Sequence, residues 1–280
     1  MWRMVGAPTT GEDATDGAED DGAEQAAAFA TPGTTRPSLA RRLARGLVDR
    51  LLPPCCPLCR SLTADGGALC AACWSTIRFI ERPYCERLGT PFPFDLGEGT
   101  LSAGAIADPP AYDRARAVAR FEGAGRDLVH MLKYDDHVEL ARLMAPMMVR
   151  AGRDLLAGRP LLLPVPLHPT RLWRRRFNQS ALLAREIARL SALPCDTGLL
   201  RRTRRTPRQV GLDRKGRADN VRGAFALAKP ERLRGRDVLL VDDVLTTGAT
   251  VEAATRTLRR AGAARVDVLV FARVVGDGAS

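Results

Sequence analysis

The clearest pattern of apolar and polar positions in the chain lies between residues 238 and 262. Four successive apolar residues, 238–241, predict a strand that is buried on both faces and that stops at two adjacent carboxylates, Asp242 and Asp243. After a short link, apolar residues spaced by three and four predict a helix that ends at Gly262. Its apolar positions are Val251, Ala254, Leu258 and Ala261. Ligands of open α/β sheets bind at the carboxyl ends of strands, so the two acids are candidate functional residues.

Further apolar strands and amphipathic helices follow one another from Tyr112 onwards. The predicted strands are residues 117–121, 161–166, 221–227 and 265–271, and the predicted helices are residues 125–134, 138–150 and 179–190. This alternation predicts an α/β domain over residues 111–280, with a parallel sheet flanked by helices. Residues 200–220 carry many charges and few apolar side chains, so we expect a mobile loop there.

The N-terminal part of the chain has a different composition. Residues 1–37 are acidic and contain almost no large apolar side chains, which predicts a disordered tail. From Ser38, leucines recur every fourth residue and arginines lie between them, which predicts a basic amphipathic helix that Pro53 ends. Such a helix suits a membrane surface or a nucleic acid, but packing on the segment that follows is the favoured role.

The charge of the chain is unevenly distributed. The net charge is +11, yet residues 1–35 hold seven acids and one base, so residues 36–280 carry a net charge of +17. That part should attract polyanions, unless arginine has simply replaced lysine over the surface. Neither a secretory signal nor an uncharged apolar run long enough to span a bilayer is visible. A cytoplasmic location is therefore expected, in which thiols stay reduced.

Two Cys-x-x-Cys pairs lie ten residues apart in the segment that follows the predicted helix. Each pair can turn two thiolates towards one point, and four thiolates form a closed tetrahedral site for a structural Zn²⁺. The predicted ligands are Cys56, Cys59, Cys70 and Cys73, whereas Cys55 is left as a spare thiol. Together with the amphipathic helix, this zinc segment is expected to form a unit over residues 38–110.

A loop rich in threonine connects the two acids to the C-terminal helix. Its residues are Thr246, Thr247, Gly248, Ala249 and Thr250. Helix starts present free N–H groups and a positive dipole end, and a glycine lets the backbone approach a ligand, so the loop is a predicted phosphate site. Carboxylates repel phosphate, so Asp242 and Asp243 suit sugar hydroxyls or a divalent cation. Phosphate and ribose side by side indicate a ribose 5-phosphate compound. The alternative is a purely structural role, in which a capped core helix follows an ordinary strand.

The run 238–250 resembles the 5-phosphoribosyl-1-diphosphate (PRPP) signature of the type I phosphoribosyltransferases. The resemblance implies that Asp242 and Asp243 are catalytic, that PRPP binds together with Mg²⁺, and that diphosphate is released. A second strand, residues 161–166, is followed by a turn rich in arginine that suits the diphosphate. The candidate diphosphate residues are Leu167, His168, Arg171, Arg174 and Arg176. A solvated arginine turn is the alternative.

The zinc segment and this second run together resemble the ComF family, which joins a cysteine-rich zinc segment to a phosphoribosyltransferase domain. The similarity includes Leu167-His168, the Phe177-Asn178-Gln179 run and Lys133-Tyr134, but Arg176 stands where the family usually has glycine. Relatives have a second pair of knuckles, whose equivalent positions here are Cys85, Leu88, Ser102 and Ala105. One thiol cannot hold zinc alone, so the second site is expected to be lost.

Two classes of function fit these observations. The first is a PRPP-dependent transferase that joins ribose 5-phosphate to a nitrogen nucleophile. The second is a non-catalytic partner of single-stranded DNA or of DNA-uptake proteins, in which the PRPP pocket is regulatory or idle. The intact acid pair and phosphate loop favour the first class. The zinc segment and the net charge of +17 on residues 36–280 favour the second.

Overall fold

The computed structural model describes residues 53–134, 138–168, 177–204 and 223–276. The predicted acidic tail, the predicted helix that starts at Ser38, and most of the predicted mobile loop lie outside these residues. Three candidate diphosphate residues, Arg171, Arg174 and Arg176, also lie outside them.

The described residues form seven α-helices and six strands. The helices are α1 (Ala71–Ser75), α2 (Ala103–Ala107), α3 (Gly123–Tyr134), α4 (Leu140–Ala151), α5 (Arg153–Leu156), α6 (Gln179–Ser191) and α7 (Ala249–Arg260). The strands are β1 (Ala115–Arg120), β2 (Leu161–Pro164), β3 (Leu200–Arg202), β4 (Phe225–Leu227), β5 (Asp237–Leu245) and β6 (Arg265–Arg273). A 3₁₀ turn, Pro230–Leu233, precedes β5. The predicted helices that fall within the described residues and most of the predicted strands are present, with ends shifted by a few residues.

Four parallel strands form the main sheet in the order β1-β6-β5-β2. Successive residues of β5 face opposite sides, because side chains alternate along a strand. Leu239 and Val241 enter a buried cluster with α3, α4 and α6, whereas Val238 and Leu240 enter another cluster with α7. Covering both faces explains why this strand is a continuous apolar run. The predicted parallel sheet with flanking helices is therefore confirmed.

Two sequence-based expectations about strands are wrong. β5 does not stop at the acids but continues to Leu245, because the long strand β6 still pairs with it there. Residues 225–227 do not join the main sheet. They pair with residues 200–202 in a separate two-stranded antiparallel sheet, β3-β4. Leu200 and Phe225 are buried against the α7 face of the core, so the predicted mobile loop does not begin at residue 200.

The zinc segment packs against the free edge of the main sheet. Phe79 forms an antiparallel bridge with Ala119 of β1, and the Ile80 N–H donates to the Val118 carbonyl at 2.8 Å. Ile77 also belongs to the buried cluster that contains α3 and α4. An uncovered sheet edge invites pairing with other chains, so the zinc segment protects β1.

A buried arginine joins the same two parts of the chain. The Arg116 side chain is 2% exposed and its guanidinium lies 2.5 Å from Glu86 Oε2 and 2.8 Å from Asp154 Oδ2. Glu86 comes from the zinc segment and Asp154 from α5, so Arg116 on β1 holds both. Within the described ranges, no helix has the length and apolar character that a membrane span requires.

Candidate functional site

The two acids lie at the carboxyl edge of the main sheet. β2 ends at Pro164, which pairs with Val241, so β5 loses its neighbour on that side where Asp242 begins. On the other side, Asp242 still pairs with Val270 of β6. Asp243 is 6% exposed and Asp242 is half-buried. The fold thus holds both carboxylates on a fixed backbone at the carboxyl edge of the sheet, beyond the end of β2, which is where open α/β sheets bind ligands.

Each carboxylate has a defined partner. The Ser180 hydroxyl donates to Asp242 Oδ1 at 2.7 Å, and the Asp243 N–H donates to the same oxygen at 2.9 Å. Lys133 Nζ forms an ion pair with Asp243 Oδ1 at 3.2 Å, and both side chains are largely buried. The two acids are therefore different groups: Asp243 is paired with a cation, whereas Asp242 has neutral hydrogen-bond donors.

This difference affects ionisation. Burial of the side chain, and then repulsion by the Asp243 carboxylate, raise the pKa of Asp242 to about 7. The Ser180 hydroxyl, the Asp243 N–H and the Lys133 charge oppose that rise. Near neutral pH, Asp242 is thus poised between its neutral and charged forms. A cation or a set of hydroxyl donors beside it would favour the carboxylate.

The start of α6 positions Ser180. Asn178 caps this helix through its Oδ1, which accepts from the Ser180 N–H at 3.1 Å, while its Nδ2 donates to the Val165 carbonyl after β2 at 3.1 Å. Gln179 Nε2 donates to the Lys133 carbonyl at 3.5 Å. The Asn-Gln run and the Lys133 region, which appear in the sequence as separate family features, therefore meet at the two acids.

The predicted phosphate loop follows at the same edge. Gly248 has a φ of 81°, and α7 begins directly after it at Ala249. A Cβ on Gly248 would meet nothing closer than Leu245 Cδ1 at 4.0 Å, so its left-handed backbone, and not crowding, requires glycine. Thr247 Oγ1 is buried without a hydrogen-bond partner in the described part of the chain. An unpartnered buried hydroxyl at a helix start can donate a hydrogen bond to a bound anion such as a phosphate.

The remaining members of the loop and of the diphosphate set are placed as follows. Thr246 is exposed, Ala249 and Thr250 are half-buried, and all three adjoin Thr247 and Gly248. Leu167 and His168 are half-buried and follow β2 at the edge that carries the acids. The Val165 N–H donates to the Val241 carbonyl at 2.9 Å, which ties the chain leaving β2 to the residue before Asp242.

Ser180 was not predicted as a site residue, and Lys133 was predicted only as part of the family resemblance. The one local signal for Ser180 was its position two residues after the capping asparagine, at the start of an amphipathic helix. Neither residue is near the acids along the chain, so only the fold brings them together.

The four predicted zinc ligands lie together. The sulfur atoms of Cys56, Cys59, Cys70 and Cys73 are all within 4.8 Å of one another. Tetrahedral zinc with Zn–S bonds of about 2.3 Å requires sulfur atoms about 3.8 Å apart, so these thiols fit the ion with small adjustments. Within the described ranges, they form the one group of three or more side chains that could hold a metal.

The backbone around this cluster favours thiolates. Hydrogen bonds with Ser61, and then with the Cys70 and Cys73 thiols, together lower the pKa of the Cys59 thiol to about 6. Burial raises the pKa of Cys56, but the N–H groups of Cys70, Cys59 and Leu58 outweigh burial and lower it overall. Burial, and then the neighbouring thiols, raise the pKa of Cys73 instead, as expected where four thiols crowd one point without a cation. Since metal ligands must be deprotonated, the lowered pKa values of Cys56 and Cys59 support a structural zinc site, and a bound cation would offset the rise at Cys73.

The second knuckle keeps its shape without ligands. Cys85 Sγ accepts from the Ser102 N–H at 3.2 Å and from the Leu88 N–H at 3.5 Å, and Ser102 Oγ accepts from the Ala105 N–H at 3.3 Å. The four positions named from the sequence are thus neighbours in space. Their arrangement matches a knuckle in which one thiol remains.

Comparison with known proteins identifies the two parts. The Double zinc ribbon domain family matches residues 47–106, and the Phosphoribosyl transferase domain family matches residues 178–278. The fold and the site therefore define a phosphoribosyltransferase-like protein with an N-terminal zinc ribbon.

Similar proteins match most of the length of the chain. DNA utilization protein YhgH of Shigella flexneri is 33% identical over 231 residues, which are 80% of this chain and 99% of that protein. Competence protein F of Haemophilus influenzae is 29% identical over 225 residues, 78% of this chain and 96% of that protein. A solved purine phosphoribosyltransferase from Pyrococcus horikoshii is 18% identical, over 50% of this chain and 78% of that chain, with a TM-score of 0.29. The chain belongs to the ComF family, which these competence and DNA-utilization proteins represent, and the resemblance inferred from the sequence is confirmed.

Proposed function

We propose that the site at the carboxyl edge of the sheet binds PRPP with Mg²⁺ and transfers its ribose 5-phosphate to a nitrogen nucleophile, releasing diphosphate. The observation that carries this proposal is the adjacency of two unlike carboxylates and a phosphate loop whose Thr247 hydroxyl has no partner among the described residues. Thr255 Oγ1, deeper in α7, is also buried without a partner among the described residues, so it is the position of Thr247 at the helix start, beside Gly248 and the two acids, that points to a phosphate.

Each part of the site has a proposed role. The 5-phosphate lies against the helix start, where the N–H groups after Gly248 and the hydroxyls of Thr246, Thr247 and Thr250 donate to it. Asp242 and Asp243 accept hydrogen bonds from the ribose hydroxyls, and the same oxygens suit Mg²⁺. The diphosphate is assigned to the segment after β2, with Leu167 and His168 and with Arg171, Arg174 and Arg176.

Catalysis in this proposal is mainly electrostatic. As diphosphate leaves, positive charge develops at the anomeric carbon, and carboxylates held beside the ribose stabilise that charge. Lys133 keeps Asp243 in place without neutralising Asp242, whose donors are neutral. Mg²⁺, when bound, supplies charge to offset the leaving diphosphate.

A second candidate function is a binding role in DNA uptake or use. Relatives named for competence and DNA utilization cover this chain over most of its length, and the body outside the acidic tail carries a charge of +17. In that case the partner is single-stranded DNA or a DNA-uptake protein, and the PRPP pocket is regulatory or idle. Both functions are proposed for the cytoplasm, since a zinc cluster of four thiols needs reducing conditions.

Calorimetry with PRPP and Mg²⁺, followed by a screen for diphosphate release across nucleobases and amines, tests the first proposal. Gly248→Val should abolish PRPP binding, because a branched side chain cannot adopt a φ of 81° without moving the loop. Gly235→Val is the matched control: its φ is 65°, a Cβ there meets nothing within 4 Å, and it lies before β5. Equal affinity in both variants would place the ligand elsewhere.

A further inference from the structure

A cavity lies where the zinc ribbon packs on the sheet domain. It has a volume of about 390 Å³. Its lining consists of Trp74 and residues 79–82 and 84 of the zinc ribbon, Val118 of β1, and the last turn of α4. None of its lining residues comes from β5, α6 or α7, which form the candidate PRPP site. The volume falls within the range of about 300–1,000 Å³ that is usual for ligand pockets.

Aromatic rings form one part of this cavity. Trp74 is 45% exposed although it stands in a small structural module, and its ring centroid lies 5.1 Å from that of Phe79. Burying an indole is favourable, so a ring left in solvent beside a cavity is suited to a ligand. A flat ring pairs with Trp74 better than an aliphatic chain does, because stacking adds to simple burial.

Two guanidiniums form another part. Arg82 lies 4.8 Å from the Tyr84 ring centroid and pairs with Glu86 at 2.6 Å, with half of its side chain exposed. Arg150 reaches Glu81 at 3.4 Å, and these two side chains are 79% and 70% exposed. A pair so exposed contributes little to stability, so Arg150 can exchange its carboxylate for a phosphate at small cost.

We propose that this cavity binds an unstacked base of single-stranded nucleic acid, with the base against Trp74 and an adjacent phosphate at Arg150. Aromatic rings beside guanidiniums, on a basic body, are the combination with which proteins hold single strands. One stacked base alone contributes only about 1–3 kcal/mol, so neighbouring phosphates on the basic surface must add to the affinity. This deepens the second candidate function and does not require a working PRPP site.

The test uses the full-length zinc-bound protein and a fluorescein-labelled dT₂₀ strand, with anisotropy measured over a range of salt. Trp74→Ala should weaken binding by about 5- to 100-fold, and Trp74→Phe should restore most of the affinity. Phe94→Ala is the matched control, because Phe94 is a ribbon aromatic that is 63% exposed and does not line the cavity.

Arg150→Gln provides a variant on an exposed side chain, where folding is not at risk. It should reduce the slope of log affinity against log salt by about 0.7, the amount expected for one phosphate contact. Arg142→Gln is its control, since Arg142 lies on the same helix, is also 79% exposed, and pairs with Glu186 at 3.8 Å. That control should keep the wild-type slope.

Three outcomes would overturn the proposal. Equal losses in Trp74→Ala and Phe94→Ala, with a normal slope in Arg150→Gln, would leave DNA binding intact but remove it from this cavity. Binding of dTMP as tight as that of the strand would exclude the single-strand assignment. Absence of strand binding by the wild type would reject the DNA-binding function itself, and with it this site.

Discussion

Replacing Asp242 with asparagine should change how stability depends on pH. Asparagine keeps the oxygen that accepts from Ser180 and from the Asp243 N–H, but it removes the titrating charge. The pKa of Asp242 rises from an ordinary 3.8 to about 7 in the folded protein. Between these values the folded state binds more protons than the unfolded state, so this residue's contribution to stability falls as pH rises through 7.

The size of the effect follows from the shift. About three pKa units correspond to an upper limit of roughly 4 kcal/mol, of which about 2 kcal/mol is lost between pH 5.5 and pH 8.5. The stability of Asp242→Asn relative to wild type should therefore increase by up to about 2 kcal/mol over that range. Carboxylates whose pKa is lowered, such as Glu86 and Asp196, make the folded state more stable as pH rises. Both proteins contain them, so their contributions cancel in the stability difference between variant and wild type.

Urea unfolding of both proteins, followed by circular dichroism from pH 5.5 to 8.5, measures this difference. The buffers should be free of magnesium and of chelators, because a chelator would also remove the zinc. Ser180→Ala is an informative companion: it removes the donor that lowers the Asp242 pKa, so its stability relative to wild type should fall as pH rises. A difference between wild type and Asp242→Asn that stays constant with pH would refute a raised Asp242 pKa.

Three further predictions address the rest of the molecule. Binding of Mg²⁺ and PRPP at pH 7 should release about half a proton from Asp242, seen by calorimetry in buffers of different ionisation enthalpy, so Asp242→Asn should release about half a proton less than wild type. Lys133→Met should cost about 3–5 kcal/mol in urea unfolding, and adding Asp243→Asn should restore most of that loss, because a buried carboxylate would no longer be unpaired. Cys70→Ser should lose zinc in metal analysis and lower the Tm by roughly 5–10 °C, since Ile77 packs into the sheet core; an unchanged Tm would show that the ribbon folds independently.

Local patterns in the sequence predicted the elements that carry the site. The run 238–250 indicates both a buried strand and the glycine at a helix start, because apolar periodicity and backbone conformation are local properties. The clustering of the four cysteines was predictable for the same reason, since each Cys-x-x-Cys pair needs only four residues.

Contacts across long sequence separations were not predictable in this way. Ser180 and Asp242 are 62 residues apart, and nothing near either residue indicates the other. The short strands β3 and β4 were misassigned because three residues are too few to show a period, so the separate pairing of Leu200 with Leu227 left no signal. Asp242 and Asp243 look equivalent in sequence, and only their different partners, a hydroxyl and an ammonium, distinguish them.

The two halves of the ribbon are held by different chemistry. The first half gathers four thiols, whereas the second keeps one thiol, Cys85, and is held by backbone contacts with the sheet domain. Gly89 lies so close to β1 that a Cβ would meet the Ala115 carbonyl oxygen at 2.3 Å, and its φ is 65°. Buried Arg273, at the end of β6, donates to the Leu88 carbonyl of the same knuckle. The sheet domain thus fixes the backbone of the second half without metal ligands, whereas the first half combines four cysteines with the packing of Leu58, Leu69 and Ile77 on the core.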